Sequence, residues 1–135
     1  MDTFTVYIDG ASKGNPGKSS IGIVIYHNGR TPLKKTGMYI GNATNNVAEY
    51  IALITALIDC AKYKPQQIEI KSDSLLLIKQ MQGEYKVKDP WLQKLHFIST
   101  RLVSWYNKVV FTHISREENI EADRVANEYI KNVLF

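Results

Sequence analysis

Hydrophobic residues repeat at every second position through the first third of this chain and at every third or fourth position from Val47 onward. That switch of period constrains the fold more than any other feature, because a period of two builds strands and a period of 3.6 builds amphipathic helices. Phe4, Val6 and Ile8 alternate with Thr3, Thr5, Tyr7 and Asp9, which predicts a half-buried strand over the first nine residues. The run Gly10-Ala11-Ser12-Lys13-Gly14-Asn15-Pro16-Gly17 is expected to be neither helix nor strand interior. Ile21 to Tyr26 reads as an apolar strand, His27-Asn28-Gly29-Arg30 carries an Asn-Gly turn signal, and Leu33 to Ile40 returns as a more polar strand.

From Val47 the spacing of Tyr50, Ile51, Ile54, Leu57, Ile58 and Ala61 predicts a helix closed by Pro65. Asn46 with Glu49 three residues on has the form of a capping box. A short strand over Ile68 to Ser72, a short helix over Leu75 to Met81 stopped at Gly83, and a longer helix from about Pro90 follow. Trp91, Leu95, Ile98, Leu102 and Trp105 are expected to form the inner stripe of that longer helix. Lys108 to Ile114 reads as a strand, and Ala122, Val125, Ala126, Tyr129, Ile130 and Val133 as the inner face of a final helix. The order β-β-β-α-β-α-α-β-α gives an α/β fold in which hairpins come first and helical crossovers then make the later strands parallel to the first.

The 135 residues suit one domain. A lone cysteine, Cys60, excludes an internal disulfide; it falls in the helical pattern and is expected to be a buried thiol. A net charge of +4 is a mild bias toward polyanions, and the basic residues are scattered. No apolar run approaches the ~20 residues that cross a bilayer, and the chain enters a strand at once, so a soluble cytoplasmic (or nucleoid-associated) protein without a signal peptide is expected.

In open α/β sheets, sites gather beyond the carboxyl ends of the parallel strands. Asp9, at the end of the first strand, Asp73, just after the strand ending at Ser72, and Asp123, in the first turn of the last helix, all fall there. Glu49 opens the helix after the hairpins. Singly, each has a plain explanation as turn former, cap or helix-dipole partner. Gathered together, four carboxylates repel one another unless cations lie between them. Oxygen donors point to magnesium, with manganese as substitute, rather than zinc. Two such ions at one site serve phosphodiester hydrolysis.

The blocks Asp9-Gly10-Ala11-Ser12-Lys13-Gly14-Asn15-Pro16-Gly17, Thr44-Asn45-Asn46-Val47-Ala48-Glu49, Ser72-Asp73-Ser74 and Asn119-Ile120-Glu121-Ala122-Asp123 resemble, in order, the four motifs of type 1 ribonuclease H. The resemblance covers essentially the whole chain. It implies a five-stranded mixed sheet, order 3-2-1-4-5, with helices on both faces. It also implies an endonuclease that hydrolyses the RNA strand of RNA–DNA hybrids with two Mg2+ ions, giving 5′-phosphate and 3′-hydroxyl ends with little sequence preference. Asp9 would bridge the ions, Asp73 and the more mobile Asp123 would hold the one that positions water, and Glu49 the other. Asn15, Asn45 and Asn46 match positions that read RNA 2′-hydroxyls in the minor groove, and Thr44 a position that grips a DNA phosphate. No protein partner is implied and a monomer is expected.

Two departures from the family pattern stand out. His113 has the family's ten-residue spacing before Asp123, but Ile114-Ser115-Arg116-Glu117-Glu118 replaces the small and glycine residues expected after it. Either His113 serves the loop, or Ile114 extends the strand and leaves Arg116 as the loop's cation. Between the central helices, Gly83-Glu84-Tyr85-Lys86-Val87-Lys88-Asp89-Pro90 stands where many members carry a basic protrusion. The chain resembles the compact subgroup, with Lys86 and Lys88 as candidate phosphate contacts and salt-sensitive hybrid binding.

Rival readings are a catalytically inactive nucleic-acid-binding module of the same fold, or a retroelement-derived nuclease domain. A P-loop is rejected: Ser12 stands where the first glycine belongs, and Ile21 to Tyr26 is strand-like where a helix must open.

Overall fold

An unbroken antiparallel ladder runs from Phe4 opposite His27 to Gly14 opposite Gly17. The first strand therefore does not stop at Asp9. In this computed structural model, which describes residues 3–29 and 31–133, β1 spans Thr3–Gly14, β2 Gly17–His27 and β3 Pro32–Ala43. Gly10 to Gly14 has weak intrinsic strand preference, but pairing across the sheet overrides it. The Ser12 and Ser19 hydroxyls meet across the two strands at 2.5 Å. The chain reverses between Gly14, at φ 102°, and Gly17, with a cis Asn15–Pro16 peptide. The P-loop reading fails here on geometry, since the glycine-rich segment is a hairpin and opens no helix.

The remaining elements are α1 (Asn45–Ala61), β4 (Gln67–Ser72), α2 (Leu75–Met81), α3 (Pro90–Val103), β5 (Lys108–His113), a 3-10 turn over Arg116–Asn119, and α4 (Ile120–Val133). The strand order is β3-β2-β1-β4-β5, as the resemblance implies. β1 runs antiparallel to β2 and parallel to β4, and β4 runs parallel to β5. One face of the sheet packs Val6, Ile8, Ile23, Ile25, Ile68 and Ile70 against Tyr50, Leu53, Ala56 and Leu57 of α1. On the other face Val24 meets Ala122 and Val125 of α4, with Tyr7 and Tyr26 alongside. Cys60 is buried, and burial pushes its thiol up to about 12.

The helical faces differ in part from those expected. Along α3 the buried residues are Leu92, Ser99 and Leu102, whereas Trp91, Ile98 and Trp105 are exposed. Leu92 and Leu102 join the core cluster with Leu95 packed against it, which leaves Trp91 on the outer side of the helix, while Trp105 lies past the helix end. In α1, Ile58 is exposed and the small residues Ala48, Ala52 and Ala56 face the sheet instead, because only short side chains allow so close an approach. His96 is partly buried: its Nε2 lies 3.3 Å from Gln80 O and its ring stands edge-on to Tyr50. His27 is exposed, its ring tilted against that of Phe4. The Val133 side chain, expected on the inner face of α4, lies outside the described residues. No helix among the described residues is long and apolar enough to cross a membrane.

Candidate active site

The parallel pairing of β1 with β4 ends at Tyr7 opposite Lys71, and past that point the two strands part. Asp9 rises from the continuing β1 and Asp73 from the turn after β4. Glu49 reaches the same place because α1 lies almost on the β1 backbone. A Cβ on Gly10 would sit 2.6 Å from Ala48 C and 2.7 Å from Glu49 N, so only glycine permits this seat. Carboxylate oxygens of Asp9, Glu49 and Asp73 lie within 4.8 Å of one another.

Asp123 arrives from the opposite face of the sheet. It lines the same cleft, with Ser12, Asn45, Asn46, Ser74, Arg116 and Asn127, and its carboxylate adds to the upward push on the Asp9 pKa. Its own carboxylate is exposed, and Asn127 Nδ2 donates to Asp123 Oδ1 at 3.0 Å. Gly22 sets how closely α4 lies on β2, since a Cβ there would stand 2.1 Å from Ala122 O.

Crowded acids titrate late. Burial, then the charges of Glu49 and Asp73, push the Asp9 carboxyl up to about 9. Glu49 is raised to about 8 by burial and by Asp73, against the opposing hydrogen bond from Gly10 N–H. Asp73 is raised by burial, while Asn119, Arg116 and His113 pull it down. Among the described residues, Arg116 is the one cation lining the cleft, too few charges to balance four carboxylates. Hard oxygen donors, close spacing and unbalanced negative charge together suit a divalent cation. The site's donors include no histidine or thiol, which speaks against zinc.

The capping box expected from Asn46 and Glu49 does not form. Thr44 is the N-cap, its Oγ1 accepting from Val47 N at 3.2 Å. Glu49 instead accepts from Gly10 N at 2.7 Å, because its carboxylate turns across to β1. Asn15 Oδ1 accepts from Asn45 N at 2.9 Å and so ties the β1–β2 hairpin to the start of α1. Asn45 and Asn46 are exposed in the carboxylate cleft. Asn46 also borders a second groove, lined by Asn15, Thr44, Asp89 and Trp91.

His113 is exposed at the end of β5, opposite Ser72, and does not line the cleft. Ile114 is buried and its N–H donates to Ser72 O at 2.9 Å, so it prolongs the strand and Arg116 is the loop residue that reaches the cleft. Glu118 accepts from Ser115 N at 3.0 Å, closing a tight turn where the family pattern has a glycine-bearing loop. Lys86 and Lys88 are exposed in the α2–α3 loop, outside the carboxylate cleft.

Sequence reasoning did not single out Asn119 and Asn127. Asn119 stands at the head of the last motif, and Asn127 is four residues after Asp123, the spacing that stacks side chains on one helix face. Those positions were the available signals.

A family model described as "Reverse transcriptase-like" matches residues 7–129. A bifunctional protein of Mycobacterium tuberculosis is 40% identical over 121 residues, covering 89% of this chain and 33% of that protein. A ribonuclease HI of Halobacterium salinarum is 39% identical over 122 residues, covering 90% and 61%. The chain thus spans between a third and two thirds of the length of these relatives. Among solved structures, LC11-RNase H1 in complex with an RNA/DNA hybrid superposes with a TM-score of 0.94 at 39% identity, covering 98% of this chain and 99% of that one. The RNase H1 of Halobacterium salinarum gives 0.93 at 37% identity, covering 96% and 98%. With four motifs in register and this fold beneath them, the chain belongs to the type 1 ribonuclease H family.

Proposed function

We propose that this chain is an endonuclease that hydrolyses the RNA strand of RNA–DNA hybrids, with Mg2+ (Mn2+ as substitute) held by Asp9, Glu49, Asp73 and Asp123. The observation that carries the reading is the convergence of three of these carboxylates within 4.8 Å beside the exposed amides of Asn45 and Asn46. A related protein, LC11-RNase H1, has been solved on an RNA/DNA hybrid, which supports the substrate class.

Bound divalent cations would supply an activated water and charge stabilisation for the leaving oxygen. The protein's part is to hold the donors at close spacing. Asp9 stands on β1 just past its pairing with β4, Asp73 in the turn after β4 and Glu49 on a seated helix, whereas Asp123 enters from α4 and is exposed. Asn45 and Asn46 offer neutral amides that can both donate to and accept from a 2′-hydroxyl. Thr44 and Asn15 border the adjoining groove, where the second strand of the duplex would run. Arg116 faces the cleft as a counter-charge for the phosphate under attack. Such contacts read backbone and sugar, so little sequence preference follows, and 5′-phosphate with 3′-hydroxyl products are expected.

The test uses end-labelled RNA–DNA hybrid, double-stranded RNA and double-stranded DNA, each with Mg2+, Mn2+ or chelator. Metal-dependent cleavage confined to the RNA of the hybrid supports the reading. Cleavage of all three, or none in the presence of either metal, refutes it.

A further inference from the structure

β1 and β4 stop pairing after Tyr7 and Lys71, so the Ile8 carbonyl has no strand partner on its β4 side and needs another donor. Asn119 supplies it. The residue is 1% exposed, and its Nδ2 donates to Ile8 O at 2.9 Å. The same side chain neighbours the Asp73 carboxylate and pulls its pKa down. One buried amide thus occupies the fork between the two strands, bonded to the backbone one residue before Asp9 and close enough to Asp73 to act on its titration. Its Oδ1 is buried and meets no donor among the described residues, so the amide's contribution here lies in its two N–H groups. Neighbouring groups fix its own position. Asn119 ends the 3-10 turn that Ser115 and Glu118 close, and α4 follows at once with Ala122 and Ala126 wholly buried.

We propose that Asn119 is a positioning residue: by standing between Ile8 O and Asp73 in the β1–β4 fork, it holds the Asp9 and Asp73 carboxylates at the spacing that a shared divalent cation requires. It acts through those two residues and does not itself line the cleft. The inference rests on the metal-dependent reading above and adds to it the group that sets the distance between two of the ligands. A hydrogen-bonding donor behind a ligating carboxylate orients it, and loss of such a partner costs roughly 10–100-fold in metal affinity or activity.

Two substitutions separate positioning from bulk stability. Asn119→Asp keeps the size and shape and removes both N–H groups; Asn119→Leu also removes the polarity. Mn2+ binding is measured by calorimetry on metal-free protein, beside steady-state cleavage of a labelled hybrid and circular-dichroism melts. Expected for a folded variant is Mn2+ affinity and kcat each lower by roughly 10–100-fold, with KM for the hybrid within about twofold. A merely structural role would lower the melting temperature and leave Mn2+ affinity of the folded protein unchanged. Should Asn119→Leu fail to fold, Asn119→Asp alone decides. Wild-type Mn2+ affinity and kcat in a folded Asn119→Asp variant would overturn the proposal. Wild-type protein that binds Mn2+ but leaves hybrid uncut sinks only the substrate reading, and the binding measurement still decides the role of Asn119. Wild-type protein that binds no Mn2+ overturns both.

Discussion

The Gly10 backbone N–H donates to Glu49 Oε1 at 2.7 Å, so the residue after one candidate ligand holds the side chain of another. The contact exists because α1 starts almost against β1, with no room for a Cβ at position 10. The same principle operates at Gly22 beneath α4. Both glycines set the position of a carboxylate that neither of them carries.

Gly10→Ala is expected to push α1 away from β1. Overpacking against backbone atoms costs about 1–3 kcal/mol, and the displaced Glu49 loses its hydrogen bond. Thermal melts should show the destabilisation, and hybrid cleavage should fall in the protein that remains folded. Full activity with unchanged stability would show that the helix seat tolerates a methyl group.

Asp9→Asn should abolish cleavage, a loss greater than the roughly 10²–10³-fold typical of removing one electrostatic stabilising group. Without metal, the same change removes a buried acid whose neighbours repel it, so the variant should melt higher than wild type at pH 9. Opposite changes in stability and activity are the expected mark of a strained ligand site. Equal melting temperatures at that pH would mean that the cluster stores no repulsion.

Asp9 and Glu49 have carboxyls raised from ordinary values of 3.8 and 4.5 to about 9 and about 8. A raised folded-state value favours folding fully below the unfolded value, and that advantage is lost as pH climbs through the folded one. Metal-free protein should therefore lose stability progressively as pH climbs from about 4–5 to about 9, and Asp9→Asn should lose less. Excess Mg2+ binds the deprotonated carboxylates of the folded state. Its stabilising effect should be greater at pH 9 than at pH 6, as scanning calorimetry can show. A gain independent of pH would count against these carboxylates as the binding groups.

Arg116→Ala is expected to lower kcat by about tenfold, ~1.4 kcal/mol of transition-state stabilisation. His113→Ala should have the smaller effect, because His113 does not line the cleft. Side-by-side kinetics decide the matter, and the reverse ranking would restore the histidine to the loop's functional role.

Cys60 should resist a water-soluble thiol reagent in the native protein and react once the chain is unfolded, since it is wholly buried and its thiol is held neutral by burial. Rapid labelling under native conditions would mean that α1 opens from the sheet.

Period, motif and charge made most of this molecule legible beforehand. Phe4, Val6 and Ile8 face inward as their alternation implies, and α2 spans Leu75–Met81 as its pattern implies. Strand order and the four acidic positions followed from motifs quoted in register. What failed were inferences about faces and ends. Trp91 looks like a core residue in a one-dimensional pattern that Leu95 and Leu102 do obey, yet its neighbour Leu92 is the buried one, and only packing against the core chooses between them. Glycine and serine in Gly10 to Gly14 argue against a strand until β2 is present to pair with them.

Local spacing acts along the chain, and the sequence by itself determined which residues are strand-like, helical and acidic. Distances between Asp9, Glu49, Asp73 and Asp123 depend on how closely α1 and α4 approach the sheet at Gly10 and Gly22, and on the Asn119 amide in the β1–β4 fork. Those are contacts between segments up to 111 positions apart. No local preference encodes them, so only the tertiary structure could turn four scattered acids into one cleft.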